Sequence, residues 1–396
     1  MRILMINSGV IGSTGNIMLD LAATVRSAGH QCITACSAGK SMRKEGLNEH
    51  IYIGNRLTRN LHLFLGKVTG YHGIFSVIST AIFLRKVRCF NPDVIHLHNL
   101  HDCYINLPML FRFIKKRDVK VIWTLHDCWS FTGGCPHFVL KKCDKWKNGC
   151  GACPSYKNYP ASYVDRSKGM WQLKKKWFTG VNNLTLVTPS EWLARLVHQS
   201  FLKEYPVEVI NNGIDLDVFK PTPSDLRDKI LGGGKYIILG VAFGWSYSKG
   251  LDVFNTLAEK LTEEYSIVII GTAIESNINP RIKVVGRTAD KTELAAYYSI
   301  ADVFVNPTRQ EVLGLVNIES LACGTPVITF DAGGSPECID DHCGVTIPID
   351  DINGLIRSIE TVCKTHPYPD QACRYRSKNY DKKQLYKEYL RLYAKP

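Results

Sequence analysis

The sequence predicts two doubly wound α/β domains, one after the other. Its 396 residues exceed what one ordinary core holds, so two domains of roughly 150–200 residues are the natural division. Short runs rich in Val, Ile and Leu alternate with longer helix-period patterns. Continuous apolar strands between helices describe parallel sheets covered on both faces. The strands also come in two series. The first is Arg2–Asn7, Cys32–Cys36, Val94–His98, Val121–His126, Leu184–Thr188 and Val207–Ile210. The second is Tyr236–Val241, Ser266–Ile270, Ile282–Val285, Val303–Asn306, Val327–Thr329 and Gly344–Ile347. Each series implies a sheet with ligands at the carboxyl ends of its strands.

The expected domains are residues 1–197 and 198–379, with the seam near 198–212. A closing helix within 380–396 carries an apolar and aromatic stripe: Leu385, Tyr386, Tyr389, Leu390 and Tyr393. It is compatible with packing on either domain. A hydrophobic content of 45 % and a charged content of 21 % are ordinary for a soluble protein.

The net charge of +13 is unevenly spread. Residues 1–200 hold 27 Lys and Arg against 10 Asp and Glu, whereas residues 201–350 hold 12 against 21. The basic front half suggests an anionic partner such as phospholipid headgroups or a lipid pyrophosphate. No nucleic-acid reader motif or stacking platform accompanies it, so nucleic acid is not expected. Met1–Asn7 reads as a buried strand and not a signal peptide. The most apolar later stretch, Gly73 to Leu84, is too short to span a bilayer. The expected location is cytoplasmic, with peripheral contact at the inner face of a membrane as the basic surface would allow. There the 14 cysteines would be thiols or metal ligands and not disulfides.

The segment with most chemistry runs from Asn306 to Pro326. A helix is expected to begin near Gly314, with Gly324 as its left-handed cap and Pro326 blocking continuation. Glu311 then lies in the loop feeding that helix, and Glu319 one to two turns inside it. A helix N-terminus offers unpaired N–H groups and a positive dipole end, which suit a diphosphate. Two carboxylates beside it can accept hydrogen bonds from sugar and ribose hydroxyls. Spacing alone is equally compatible with two solvated acids on an amphipathic helix.

Glu311-x7-Glu319 followed by Ala-Cys-Gly-Thr-Pro resembles the signature of the family 4 glycosyltransferases, also called group 1. Other segments resemble the family in the same order: Asn211 to Asp215 with Phe219 and Pro221, Lys249 to Asp252, Ala301 to Pro307, and Gly333 to Glu337. The resemblance covers about residues 205–345. It implies a GT-B fold, in which two Rossmann-like domains face each other across a cleft. It also implies transfer of a sugar from a UDP- or GDP-sugar to a saccharide or lipid-linked acceptor, with retention, in bacterial capsule, exopolysaccharide or lipopolysaccharide assembly.

By the same resemblance Glu311 contacts the transferred sugar and Glu319 the ribose. Lys249 neutralises the diphosphate, assisted by the backbone at Val312, Leu313, Gly314 and Leu315. No catalytic cofactor is implied. The family usually carries an arginine five residues before this lysine, where Gly244 stands, so Arg309 or Arg287 is expected to supply the second cation. A nucleotide-sugar epimerase, or a non-catalytic sugar-nucleotide-binding protein, would share the architecture.

In the first half, Gly9, Gly12 and Gly15 follow the first strand and open a helix. No acidic residue follows the second strand at Cys36 to Gly39, so recognition of an NAD ribose is not supported. In the transferase reading Gly12 and Gly15 lie near the donor and Asn16 near the acceptor. His126 and Asp127 end the fifth strand, and family members often place a histidine there close to the reacting sugar. His126 thus joins Glu311 and Lys249 as an expected catalytic residue. His98, Asn99 and Asp127 are read as acceptor-side lining, along with His96 and His101.

Five cysteines follow within 128–154. Cys150 and Cys153 form a Cys-x2-Cys knuckle, which Cys135 and Cys143 could complete as a structural zinc site. Free thiols in a packed loop fit the pattern too. Lys174 to Phe178, and Arg85, Lys86 and Arg88, set cations beside apolar residues in the manner of a lipid-facing surface.

Overall fold

The computed structural model describes residues 1–38, 49–273 and 278–395. The chain forms two compact units, Met1–Ile210 joined by the tail from Tyr386, and Asn211–Leu385.

The first unit holds a seven-stranded sheet: β1 Arg2–Ile6, β2 Gln31–Ser37, β3 His50–Ile53, β4 Val94–Leu97, β5 Lys120–Thr124, β6 Leu184–Thr188 and β7 Val207–Val209, in the order β3-β2-β1-β4-β5-β6-β7. Every pairing is parallel. Its helices are α1 Ser13–Ser27, α2 Arg56–Thr69, α3 Val77–Phe90, α4 Leu107–Lys115, α5 Ser167–Phe178 and α6 Glu191–His198.

The second unit holds β8 Tyr236–Trp245, β9 Tyr265–Ala273, β10 Ile282–Val285, β11 Val303–Asn306, β12 Val327–Phe330 and β13 Gly344–Ile347, in the parallel order β10-β9-β8-β11-β12-β13. Its helices are α7 Leu226–Leu231, α8 Leu251–Lys260, α9 Lys291–Ile300, α10 Leu315–Ala322, α11 Ile352–Thr365 and α12 Asp370–Ser377. Helix α13, Lys382–Ala394, passes from this unit to the first.

Burial explains why these runs are strands. Ile3 to Ile6 are buried on both faces, with Ile3 registered between Cys32 of β2 and Val94 of β4. Side chains cap several helices. Asn55 accepts from Thr58 N–H at α2, Ser190 from Leu193 N–H at α6, and Asp290 from Thr292 and Glu293 N–H at α9.

Two strand ends differ from expectation in a way that matters. β4 stops at Leu97 and β5 at Thr124, so His98 and His126 belong to the loops that follow. The edge strand β3 has no counterpart among the expected strands. Only its last residue, Ile53, is fully buried, so the core leaves little apolar signal there. β7 pairs with β6, so the first unit extends to Ile210. From Tyr386 onward the α13 stripe packs on the first unit. Tyr389 bonds Thr124 Oγ1 at 3.2 Å and Tyr393 bonds His96 Nδ1 at 2.7 Å.

The cysteine-rich segment after β5 carries a small aromatic core of its own. Trp146 stacks on Phe138 at 5.0 Å and lies 5.2 Å from Phe131. Trp171 of α5 donates to the Trp146 carbonyl at 2.9 Å. Lys174, fully buried, donates to the carbonyls of Trp129 (2.6 Å) and Thr132 (3.2 Å), and its ammonium sits 3.4 Å over the Trp129 ring. Burial pushes this ammonium down to about 7, against the opposing pull of Cys135, Cys150 and Asp127. Above that pH the unfolded chain holds a proton that the native chain does not, so this group makes stability rise with pH up to the ordinary lysine range. Relative to Lys174→Met, wild type is expected to gain about 1 kcal/mol per pH unit above about pH 7. Urea unfolding of both proteins across that range checks it, and parallel profiles refute it.

Candidate active site

The carboxyl ends of β8, β11 and β12 bring together the expected donor residues of the second unit. After β8 the chain makes one short turn, and Gly250 at φ 78° starts α8. A Cβ on Gly250 would lie within 2.4 Å of the Pro307 carbonyl, so only glycine lets the two loops touch. Arg309 N–H donates to the Ser248 carbonyl across the same contact (2.9 Å). This places Lys249 Nζ 2.7 Å from Glu311 Oε2. Glu311 Oε1 also accepts from Val312 N–H at 3.2 Å. Val312 and Leu313 bury their side chains, Leu313 in one of the two apolar clusters of the unit.

Helix α10 begins at Gly314, φ 75°, with no side chain capping it, so its first turn offers N–H groups to a ligand. Leu315 is its first residue, and Gly324, φ 93°, follows its end. A buried polar chain fixes the helix start. Asn306 donates to Asn317 (2.8 Å), Asn317 donates to Ser335 Oγ (2.9 Å), and Ser335 bonds Thr329 at 2.7 Å. Gly333, φ 64°, takes the chain past the Glu311 carbonyl, where a Cβ would lie 1.8 Å from the oxygen. Glu319 stands one turn into α10 and accepts from Tyr298 Oη at 3.1 Å. Burial pushes its carboxyl up to about 7, while the Tyr298 bond and Lys291 oppose the rise.

Arg309 is placed differently from expectation. Its side chain is 4 % exposed and is held by Asp252 at 2.8 Å and Asp350 at 2.6 Å. It also donates to the Tyr247 carbonyl (2.5 Å) and stacks 4.0 Å from the Tyr247 ring. Committed to two carboxylates, this guanidinium ties loops together and is a scaffold in place of the expected phosphate cation. The other expected cation, Arg287, is exposed after β10 and lies 3.8 Å over the ring of Phe243, next to Gly244. A groove of about 530 Å³ beside Asp302, Thr325 and Asp370 lies at the amino ends of β11 and β12, away from these residues.

In the first unit the expected residues gather at the carboxyl ends of β1, β4 and β5. Asn7 donates to the Gly9 carbonyl (2.8 Å) and accepts from Asn99 N–H (3.1 Å), linking two of those loops. Gly12, φ 87°, starts α1. Gly15 has no room for a Cβ, which would lie 2.5 Å from the Val10 carbonyl carbon, and Asn16 is exposed on the first turn.

His98 Nδ1 and His126 Nε2 are 3.0 Å apart with stacked rings. Burial drives the His126 imidazolium down to about 4 and that of His98 well below the usual range, so both rings are neutral. Among the described residues His98 Nε2 and His126 Nδ1 have no hydrogen-bond partner. Burial alone would raise the Asp127 carboxyl, but His101 at 3.1 Å and Trp129 N–H at 2.8 Å hold it low. His96 is enclosed between Tyr393 and Thr124. Cys135, Cys143, Cys150 and Cys153 share one loop, with Gly133 N–H donating to Cys150 Sγ at 3.1 Å. Among the described residues no group of three or more His, Cys, Asp or Glu side chains is arranged to hold a metal ion.

Sequence reasoning quoted Asp252, Asn306, Asn317, Ser335 and Thr329 without giving them these roles, and missed Asp350 and Tyr298. The two asparagines stood inside the quoted segment and could have been noticed there. The other partners lie too far along the chain for any spacing rule to join them.

Two parallel Rossmann-like sheets with this loop cluster define a GT-B glycosyltransferase. The structure resembles sucrose-phosphate synthase of Thermosynechococcus elongatus, with TM-score 0.74 and 16 % identity, covering 99 % of this chain and 98 % of that one. It also resembles Anabaena HepE solved with UDP, at TM-score 0.70 and 15 % identity over 99 % of both chains. Residues 14–218 match the model of Glycosyltransferase Family 4 and residues 235–365 that of Glycosyl transferases group 1. The chain belongs to glycosyltransferase family 4. A putative colanic acid biosynthesis glycosyl transferase of Escherichia coli, WcaC, is 29 % identical over 285 residues, 68 % of this chain and 67 % of that protein. An uncharacterized 41.2 kDa protein from the cps region of Klebsiella pneumoniae is 25 % identical over 337 residues, 81 % of this chain and 84 % of that protein.

Arg309→Met removes charge-assisted bonds to two half-exposed carboxylates and is expected to cost about 1.5–3 kcal/mol. Arg309→Lys keeps the charge but not the fork, and should restore only part of that loss. Chemical denaturation of the three proteins measures it, and equal stability of all three refutes the clamp.

Proposed function

We propose that this glycosyltransferase moves a sugar from a UDP- or GDP-sugar to a hydroxyl of a saccharide or lipid-pyrophosphate-linked acceptor in surface polysaccharide assembly. The observation that carries the reading is the Lys249–Glu311 pair, 2.7 Å apart beside an uncapped helix start. Lys249 and Glu311 are 34 % and 23 % exposed, and such a pair is worth at most about 1 kcal/mol. A diphosphate binds an ammonium with stronger, charge-assisted bonds, of about 1.5–3 kcal/mol each. Lys249 can therefore turn from Glu311 to an arriving donor, releasing the carboxylate for the sugar hydroxyls. Glu319, one turn into the helix, accepts from the ribose. Arg287, held over Phe243 beside Gly244, supplies the second phosphate cation in place of the missing arginine.

In this reading the bond from the anomeric carbon to the β-phosphate oxygen breaks as the acceptor oxygen bonds that carbon from the same face. The acceptor proton passes to the departing phosphate, and the anomeric configuration is retained. Lys249, Arg287 and the α10 dipole stabilise the growing phosphate charge, so no divalent ion is required. His126, neutral and bonded to His98 in the loop after β5, is the first-unit side chain placed beside the reacting sugar in this reading. The likeness to a protein named for colanic acid biosynthesis supports a polysaccharide acceptor. The UDP bound to HepE supports a uridine donor.

Lys249→Ala and Glu311→Gln are expected to lower kcat/KM for donor turnover by about 10²–10³-fold, read as nucleotide release with acceptor present. Wild-type turnover in both would overturn the site. Because the Glu319 carboxyl titrates near 7, donor affinity should strengthen as pH rises through about 7, where the ionised form becomes the acceptor. Glu319→Gln should abolish that dependence. Donor titrations on either side of neutrality decide it, and an unchanged slope in the variant refutes the role.

A further inference from the structure

Helix α2 presents its apolar stripe to solvent. Leu57, Leu61, Phe64 and Val68 recur at helical spacing and are 79 %, 58 %, 62 % and 40 % exposed, while His62 and Gly66 face inward. A surface helix ordinarily buries such a stripe against its own core. Helix α3 does the same over its first turns. Val77, Ile78 and Ile82 are exposed, while Ser79, Thr80 and Phe83 are buried. The helices are joined where His62 Nδ1 meets Ser76 Oγ, the residue before α3, at 2.6 Å, and where Gly73 N–H donates to His62 Nε2 at 3.1 Å. Seven large apolar side chains of two adjoining helices thus stand in water, which marks a surface of interaction.

Charge identifies what covers them. Residues 54–117 hold ten Lys and Arg against two Asp and Glu: Arg56, Arg59, Lys67, Arg85, Lys86, Arg88, Arg112, Lys115, Lys116 and Arg117 against Asp93 and Asp102. Both acids are already paired, Asp93 with Arg2 and Asp102 with Arg59. Arg56, Lys67, Arg85 and Lys86 are exposed beside the apolar stripes. An adjoining groove of about 460 Å³ has Leu84, Met109 and Phe113 as its floor and Arg88, Arg112 and Lys116 on its rim. A second copy of this chain would set cation against cation across a two-fold contact, which opposes self-association. Among the described residues no helix is long and apolar enough to cross a membrane. Apolar side chains with a predominantly cationic border match the headgroup–acyl boundary of an anionic bilayer.

We infer that the outward faces of α2 and the start of α3 dock on a bilayer containing anionic phospholipid. Leu57, Leu61, Phe64, Ile78 and Ile82 enter the acyl boundary, and the flanking cations meet phosphate groups. The inference widens the lipid-facing surface expected around Arg85 and Lys86, adding the α2 stripe as its apolar anchor.

The test is co-sedimentation of the full chain with phosphatidylcholine vesicles, with or without phosphatidylglycerol, in the absence of donor and acceptor. Its outcome is therefore independent of the transferase reading. Wild type is expected to partition to the anionic vesicles and to be released by salt. Leu61→Glu/Phe64→Glu and Arg85→Glu/Lys86→Glu should each lower partition by about tenfold or more, with thermal unfolding confirming that both variants fold. Tyr375→Glu, at an equally exposed aromatic of the second unit, should leave binding unchanged. Equal partition to both vesicle types, or variants that bind like wild type, would overturn the proposal. So would wild type that is dimeric by sedimentation and becomes monomeric in Leu61→Glu/Phe64→Glu.

Discussion

The loop cluster of the second unit depends on one buried guanidinium. Arg309 holds Asp252 at the start of α8, Asp350 before α11 and the Tyr247 carbonyl after β8, while its own N–H bonds Ser248. The loop bearing Lys249 and the loop bearing Glu311 are consequently fixed to one another before any ligand arrives. A planar, permanently charged fork suits this task, since a lysine could satisfy only one direction at a time. The glycines at 250 and 333 are the steric counterpart of the same constraint, because each lets the backbone pass a carbonyl that any Cβ would strike.

The contrast between the two ion pairs of this region separates framework from chemistry. Arg309 is nearly inaccessible and multiply bonded, so its contacts persist. Lys249 and Glu311 are open to water, and their attraction is weak enough to be exchanged for a ligand's charges. Beneath them the Asn306–Asn317–Ser335–Thr329 chain satisfies buried polar groups while setting the start of α10. Loops tied together in this way hold their polar groups in fixed positions before any ligand arrives.

The first unit is built on the opposite principle. The imidazoles of His96, His98 and His126 are neutral because burial removes the water that would stabilise a charge. His96 is enclosed by tyrosines of α13, and His98 supports His126. From Tyr386 onward the closing helix thus belongs to the first unit, and Tyr389 and Tyr393 are buried behind the strands that lead to the expected acceptor residues.

Parallel sheets, the two-unit plan and the family were legible in the sequence, because apolar runs of strand length and glycines at sharp turns leave local marks. Glu311, Glu319, Lys249 and His126 were legible as residues, and Gly314 and Gly324 as the ends of their helix. The short edge strand β3 was not, since an edge needs little apolar surface. Nor was the work of Arg309, expected as one of two candidate phosphate cations because Gly244 stands where the family carries an arginine. Its partners at 252 and 350 lie 57 and 41 residues away, and only folding could show that the cation was already satisfied. Local sequence determined which elements form and which chemical groups they carry. The tertiary structure decided which charges are buried and paired and which remain available, because burial and pairing depend on neighbours distant in the chain.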